Sequence, residues 1–541
     1  MLIPLRHPRR TTAARTILLL IITAACTRAA PRMPLLMPDD FETLELAGWR
    51  VEQAAPDPHN PLLEPAMPWD AGGIMGHGTV LHDPIDGLWK AWQVSTPAET
   101  ELDGLKSMHE ANRRLTYLES KDGVKWYRPM LSLVSWPGYP KTNILLDFDS
   151  GGTAQYASVM IDASNKAEPY EMFIFRSPSR NGTVVSQLGP QGKVGFLPGP
   201  HEKYGLYRYR SKDGKDWTLK EGPLPIKGGT DVCYVYREAD GSYVAYFKMY
   251  PPREPGDRII PYDNNGKQLL RRVGRATSPD GTHWSDSKVV LGRDFRESGF
   301  AQFLEICPIA VAGGYVGLVN FYDAALQTMC LQLAASRDGI KWWRPDLRPA
   351  LPNGPLGDYG GGLIWQMKEP LIDGGRMYVY YSGAEGLHST IIDTRFQPQI
   401  EVGGQSVLGS RTGKLKSTLP YYGALCRASW EPNRLWALVP SAGGPLPAVA
   451  VTKPAEHGGQ GIAVNVHVKH GGAMTAELLD AAGNPFPGFA AADCLAVTGD
   501  HRSVELKWSG GKRAPSTTAK IRFVLRRAFL YGYQWSDQPS H

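Results

Sequence analysis

A seven-residue pattern, Ser-x-Asp-Gly-x-x-Trp, occurs four times and restricts the fold more than any other feature of this chain. It reads SKDGVKW from Ser120 to Trp126, SKDGKDW from Ser211 to Trp217, SPDGTHW from Ser278 to Trp284 and SRDGIKW from Ser336 to Trp342. Asp-Gly supplies a tight turn, because glycine accepts positive φ and aspartate can bond its own backbone. The Ser and the Trp lie on either side of that turn, so each copy predicts a hairpin whose Trp packs on a neighbouring sheet. Recurrence at intervals of about 40–90 residues in a strand-rich chain predicts a repeated β-unit of the propeller-blade kind.

The text between the copies agrees. Aromatic and β-branched runs recur: Leu88–Gln93 (LWKAWQ), Tyr170–Phe175 (YEMFIF), Tyr243–Lys248 (YVAYFK), Tyr315–Asn320 (YVGLVN) and Met377–Ser382 (MYVYYS). Each has the composition of a strand. Each follows a first run: Gly78–Leu81, Ala157–Ile161, Val232–Tyr236, Glu305–Ile309 and Leu363–Met367. Five units result, near 66–140, 141–227, 228–296, 297–356 and 357–400, and the hairpin motif follows in the first four. The predicted fold class is all-β, a five-bladed propeller over 66–400. The fifth unit lacks the motif and needs an outer strand from elsewhere, for which 41–65 is the candidate. Residues 31–65 read as a Pro-rich lead-in. After 400, period-two runs such as Ile462–Val468, Ser503–Trp508 and Ala519–Leu525 predict a C-terminal antiparallel β-sandwich over 401–541.

The first thirty residues read as an export signal. Arg6, Arg9, Arg10 and Arg15 precede the short apolar run Ile17–Ala25, which is followed by small residues. Cys26 after Thr-Ala-Ala offers a lipid-anchor site, and no membrane span is expected in the mature chain. Removing 1–30 removes five Arg and no acid, so the formal charge of +6 falls to about +1. No basic stripe points to nucleic acid. Five Cys remain, without metal spacing, and Cys307 and Cys330 are close enough in one unit to pair. Phosphate loops, HExxH, GxSxG and EF-hand patterns are absent, so no cofactor is expected; a structural calcium is not readable.

Propeller units with these hairpins followed by a β-sandwich resemble the invertase/arabinanase-type glycoside hydrolases, the superfamily of families 32 and 43. The resemblance covers 66–541 in architecture. It implies an exported or periplasmic bacterial protein acting on carbohydrate, with acids at the inner ends of the first three units. Glycoside cleavage needs two carboxyl groups, one protonated and one ionised. By position the candidates are Asp70 as base or nucleophile, and Asp231 or Glu305 as acid. Asp70 also suits a turn cap. In the second unit Gln155 stands where the resemblance expects an acid. Glu305 sits inside the apolar run Phe303–Ile306, where an acid is costly unless it faces a polar funnel; Glu297 competes with it. Substrate-binding candidates are Trp69, His77, Gln155, Lys248, Trp365, Glu369 and His388, although Glu369 has Lys368 beside it as an ion-pair partner. The missing acid in the second unit keeps a non-catalytic glycan-binding propeller open. A glycoside phosphorylase is a further reading and would need basic residues around the funnel.

Overall fold

The computed structural model describes residues 33–96, 113–146, 153–162, 164–177, 205–229, 231–258, 270–388, 423–442, 446–457, 459–511 and 514–536. Three short paired segments are added to these, between 101 and 106, 187 and 195, and 399 and 408. The signal-like segment with Cys26, and the acidic entry at Asp147 and Asp149, lie outside the described residues. Regular structure among the described residues is all strand, apart from a 3-10 turn at Pro38–Asp40.

The repeat units fold as antiparallel meanders. In the first, Gly73–His82, Trp89–Thr96, Arg114–Ser120 and Ile144–Leu146 lie side by side. The second holds Thr153–Ile161, Tyr170–Ser177, Gly205–Ser211 and Thr218–Leu224, and the third Cys233–Arg237, Tyr243–Met249, Arg272–Ser278 and Lys288–Leu291. The fourth holds Ala301–Val311, Gly314–Asp323 and Thr328–Ser336, joined by one parallel bridge to Leu363–Gln366 of the fifth. Hydrogen bonds link successive units in sequence. Thr79 Oγ1 donates to the Ala157 carbonyl (2.7 Å), and Val235 N donates to Ser158 Oγ (3.0 Å). Phe303 N reaches the Arg271 carbonyl (3.1 Å), and Asn320 Nδ2 the Ile364 carbonyl (2.7 Å). Lys368 N donates to the Gly78 carbonyl (2.7 Å), which returns the fifth unit to the first.

The repeated motif joins the units farther out. In every copy the Ser Oγ accepts the Gly N–H, and the Asp carboxylate accepts the two N–H groups that follow the Gly. The Gly carbonyl then points at the unit before it. Trp92 Nε1 donates to Gly214 O (2.6 Å), Tyr246 Oη to Gly339 O (2.7 Å) and Tyr380 Oη to Gly123 O (2.8 Å). At Gly281 the neighbour is the Phe173 ring, and Arg208 Nη1 donates to the adjacent Asp280 carbonyl (3.0 Å). Trp92, Phe173, Tyr246 and Tyr380 stand three residues after Trp89, Tyr170, Tyr243 and Met377 in four of the five aromatic runs. The fourth run carries Leu318 there, and the unit after it lacks the motif.

The domain boundaries differ from the sequence expectation. Gly423–Trp430, assigned above to the C-terminal domain, pairs along Arg376–Ala384 and is itself edged by Ala55–Pro56. The fifth unit therefore runs past 400. Phe41–Glu45 and Ala47–Val51 leave the lead-in and pair with Ala448–Thr452 and Trp436–Pro440. These join Gly461–Leu479, Asp500–Glu505 and Lys520–Ser536 in one seven-stranded sheet with its own apolar cluster, including Val464, Leu478, Phe523 and Leu525. Cys307 and Cys330 are not bonded: both are free and buried, like Cys233, Cys426 and Cys494. Burial pushes the thiols of Cys233, Cys330 and Cys426 up to about 12, which makes them poor nucleophiles.

The motif glycine is under two constraints at Gly214. Its φ is +75°, and a Cβ there would lie 2.9 Å from Trp92 and 3.2 Å from Tyr170. Gly87 has a similar φ of +73° with no atom within 4 Å. Both substitutions by Ala incur the left-handed backbone cost of about 1–2 kcal/mol. Gly214→Ala should cost roughly 1–3 kcal/mol more, from overpacking. Urea denaturation of the two variants checks this; equal losses would mean that the motif only makes a turn.

Candidate active site

The first strands bring together a polar cluster contributed by all five units. Three of these strands are bulged where they meet it. Register shifts fall between Met75 and Thr79, between Gln155 and Ser158, and between Phe303 and Glu305. His77 (φ +50°) and Tyr156 (φ +54°) stand in the left-handed region within the first two bulges. Such conformations are uncommon for non-glycine residues and cluster at functional sites. Gly76 and Gly78 permit the first bulge, since a Cβ would fall 2.6 Å from the Trp365 carbonyl oxygen at Gly76 and 1.9 Å from that of Trp92 at Gly78. The His77 ring stacks on Tyr156 (4.0 Å, 18°) and meets the edge of Trp365 at 5.1 Å. Tyr156 in turn packs edge-on against Tyr234 (5.3 Å).

Two carboxyl groups face this aromatic wall from opposite electrostatic settings. Glu305 is fully buried, and neither carboxyl oxygen has a hydrogen-bond partner among the described residues. The neighbouring Gln366 gives its amide N–H to the Leu318 carbonyl (2.9 Å). Burial drives Glu305 well above the usual carboxylate range, against the smaller opposing influence of Gln366 and Lys248. Asp231 is less buried, with 27% of its side chain exposed, and its Oδ1 lies 2.6 Å from Lys248 Nζ. Burial alone would raise it; Lys248, then Arg113 and His77, outweigh that and hold it at about 2. Tyr156 feels both carboxyl groups, and Lys248 acts on both. Burial thus favours the protonated form of Glu305, while Lys248 favours the ionised form of Asp231.

The remaining sequence candidates divide. His77 and Trp365 belong to the cluster, and Lys248 joins it as the partner of Asp231. Gln155 is buried at the second bulge, its Oε1 without a partner among the described residues. His388 packs its ring on Tyr322 at 4.7 Å, beneath Arg271. Glu369 pairs with Lys368 at 3.3 Å. Asp70 requires correction as a base candidate. Its Oδ1 caps Ala66 N and Met67 N (2.9 and 2.7 Å), and Oδ2 takes Arg128 Nε and Nη2 (2.9 and 2.8 Å). Four donors leave this carboxylate a turn-fixing role. Trp69 is likewise withdrawn from substrate stacking: it is wholly buried, with Nε1 on Asn143 Oδ1 (2.7 Å). Glu297 is held in both directions by Arg344 at 2.5 and 2.6 Å. Sequence reasoning missed Arg113, Tyr156, Tyr234, Arg271 and Gln366. The aromatic pair is signalled only by its place in the first strands.

No family model matches the chain, and no curated protein matches it. Among solved structures it is similar to a β-1,2-mannobiose phosphorylase from Listeria innocua (13% identity, 71% of this chain and 98% of that one, TM-score 0.43). It is similar also to a glycosyl hydrolase from Bacteroides ovatus (14%, 75% and 98%, TM-score 0.40). A thermostable family-43 glycoside hydrolase gives 12%, 58% and 84%, with a TM-score of 0.38. Superpositions of this quality do not assign an activity; the chemistry is read from the cluster itself.

The two acids give opposite pH signatures. The Asp231 carboxyl titrates near 3.8 when unperturbed and at about 2 in the fold. Its stabilisation is complete above the first value and lost as pH falls through the second. Glu305, raised in the fold, erodes stability as pH climbs above its ordinary value near 4.5. In urea titrations across pH, Asp231→Asn should flatten the acid limb between about pH 4 and 2. Glu305→Gln should gain stability over the parent as pH rises from about 4.5. Parallel curves for parent and variants would remove the assigned charge states.

Proposed function

We propose that this chain is an exported glycoside hydrolase whose site lies on the axis of a five-bladed β-propeller, with a C-terminal β-sandwich built partly from residues 41–51. The cyclic order of bonds between successive units, closed by Lys368 and Gly78 and by Tyr380 and Gly123, supports the five-bladed reading. The export reading rests on residues 1–30.

One observation carries the hydrolase reading: Glu305 and Asp231 share Tyr156 and Lys248 as neighbours yet are pushed apart in titration. This is the division of labour that glycosidic cleavage requires. Glu305 donates its proton to the glycosidic oxygen as the bond to the anomeric carbon breaks. Asp231, ionised, stabilises the oxocarbenium-like centre and either takes a proton from the attacking water or attacks that carbon itself. Lys248 keeps Asp231 charged, and the aromatic wall around His77 excludes water. An activity screen on aryl glycosides and polysaccharides identifies the sugar acted on, and the separation of the two carboxyl groups sets the stereochemical course.

Once a substrate is found, Glu305→Gln should lower kcat by about 100- to 10,000-fold on unactivated glycosides. The same variant should lose far less on an aryl glycoside whose leaving group needs no proton. Asp231→Asn should impair both substrates alike. Unchanged turnover in either variant excludes that residue. Saccharide binding without turnover in the parent chain would favour the glycan-binding reading, and phosphate-dependent cleavage the phosphorylase.

A further inference from the structure

The seam between the fourth and fifth units is fastened differently from the others. The fourth run carries Leu318 where the others present a ring, and the fifth unit has no motif glycine to receive one. Two buried amides close this seam instead. Asn320 Nδ2 donates to the Ile364 carbonyl (2.7 Å), and Gln366 Nε2 returns a bond to the Leu318 carbonyl (2.9 Å). Only the NH2 end of an amide can meet a carbonyl, so both side-chain orientations are fixed. Asn320 Oδ1 is thereby turned away from Ile364, and it is buried with no hydrogen-bond partner among the described residues. Asn320 stands directly opposite Glu305 in the antiparallel ladder. Residues so opposed share one face of a sheet, with Cβ atoms about 4.5–5.5 Å apart. The Glu305 carboxyl is also wholly buried, and its two oxygens also lack a partner among the described residues. Two neighbouring buried groups are thus left unsatisfied, which is costly unless they satisfy each other. An amide oxygen and a carboxylate are both acceptors and repel. An amide oxygen and a carboxylic acid form an O–H···O=C bond. Gln366 does not serve as that acceptor, because it acts on Glu305 in the sense of a donor, favouring the ionised form.

We propose that Asn320 is a positioning residue for Glu305, its Oδ1 accepting the hydrogen bond of the protonated carboxyl while its Nδ2 is anchored on the fifth unit. Its part in the reaction rests on the reading of Glu305 as the general acid. In the resting site the bond keeps the proton on Glu305 and fixes the plane of its carboxyl group. The glycosidic oxygen of a substrate then replaces Asn320 Oδ1 as acceptor, and the proton passes to it as the bond to the anomeric carbon breaks. Asn320 itself neither gains nor loses a proton. A carboxylate at this position would face a fixed acceptor, so Asn320 adds to burial in favouring the neutral acid.

The test is infrared difference spectroscopy of the full-length chain, with and without Glu305→Gln, which isolates this one carboxyl. Spectra are recorded in the parent, in Asn320→Leu and in Asn353→Ala. Asn353 is the control for the seam: its Nδ2 meets the Met329, Gly360 and Gly362 carbonyls at 2.8, 3.0 and 3.2 Å without bonding Glu305. The parent should show the C=O stretch of a hydrogen-bonded carboxylic acid. Asn320→Leu should move it to the higher frequency of an unbonded acid, and Asn353→Ala should leave it in place. An unmoved stretch in Asn320→Leu, or an equal movement in Asn353→Ala, would overturn the proposal. If Asn320→Leu does not fold, the parent spectrum decides, since an acid stretch at the unbonded frequency excludes the bond. Glycoside cleavage is assayed on the same chains. A stretch that moves as expected, in a parent that cleaves no glycoside, would sink the hydrolase reading and leave the Asn320–Glu305 pair standing. Cleavage that depends on Glu305, with an unmoved stretch in Asn320→Leu, would do the reverse. Absence of any acid stretch in the parent would overturn both.

Discussion

The carbonyl of the motif glycine is the contact on which the assembly of this fold depends. Meander sheets have no intrinsic reason to stand side by side at a fixed distance. Here a Ser and an Asp use up the turn's N–H groups, which leaves the glycine carbonyl directed outward. A Trp or Tyr from the preceding unit then donates to it at 2.6–2.8 Å in three of the four copies. Each such bond is worth only about 1 kcal/mol net. Its value lies in direction, since a carbonyl fixed by a turn and a ring fixed by a strand set the spacing of two sheets. At Gly123 the donor is Tyr380 from the far end of the repeat array, so the same contact that joins neighbours also brings the last unit back to the first. Arg427 reinforces it by donating to the same carbonyl (3.2 Å) and to Asp57 Oδ2 (2.6 Å).

Fixed spacing at the periphery permits irregularity at the centre. The bulges that carry His77 and Tyr156, and the one before Glu305, would weaken free-standing strands. They are held by sheets whose relative positions are determined elsewhere. The irregular segments point side chains inward that regular pleating would alternate away. The result is a short gradient of environment. A fully buried carboxyl is pushed toward its protonated form, and a second, less buried, is kept ionised by Lys248. The opposing charge states thus follow from burial and one ammonium group.

Much of this was legible in the sequence, for reasons that can be named. The motif and the paired aromatic runs predicted a strand-rich chain, and those runs do form antiparallel strands, because turn chemistry and strand composition are local properties. Glu305 was visible as an acid inside an apolar run and Asp231 as an acid at a strand entry. Asp70 looked equally suitable, because an aspartate that caps a turn and one that faces a substrate share the same local text. Its partner Arg128 lies 58 residues away. The same blindness to distance hid the pairing of Ala47–Val51 with Trp436–Pro440 and the contribution of Gly423–Trp430 to the fifth unit. An aromatic ring stands at this position in four of the five runs, as Trp92, Phe173, Tyr246 and Tyr380, and the fourth run has Leu318 instead. Its meaning appears only when the glycine carbonyls are seen opposite it.

The proposed function requires that a neutral carboxylic acid and a carboxylate stand in one cluster at neutral pH. Infrared difference spectroscopy between the parent chain and Glu305→Gln at pH 7 addresses it without a substrate. The account predicts loss of a protonated-carboxyl C=O stretch in the variant, and no change in the carboxylate bands. Loss of carboxylate absorption instead, with no protonated-carboxyl signal in the parent, would contradict it.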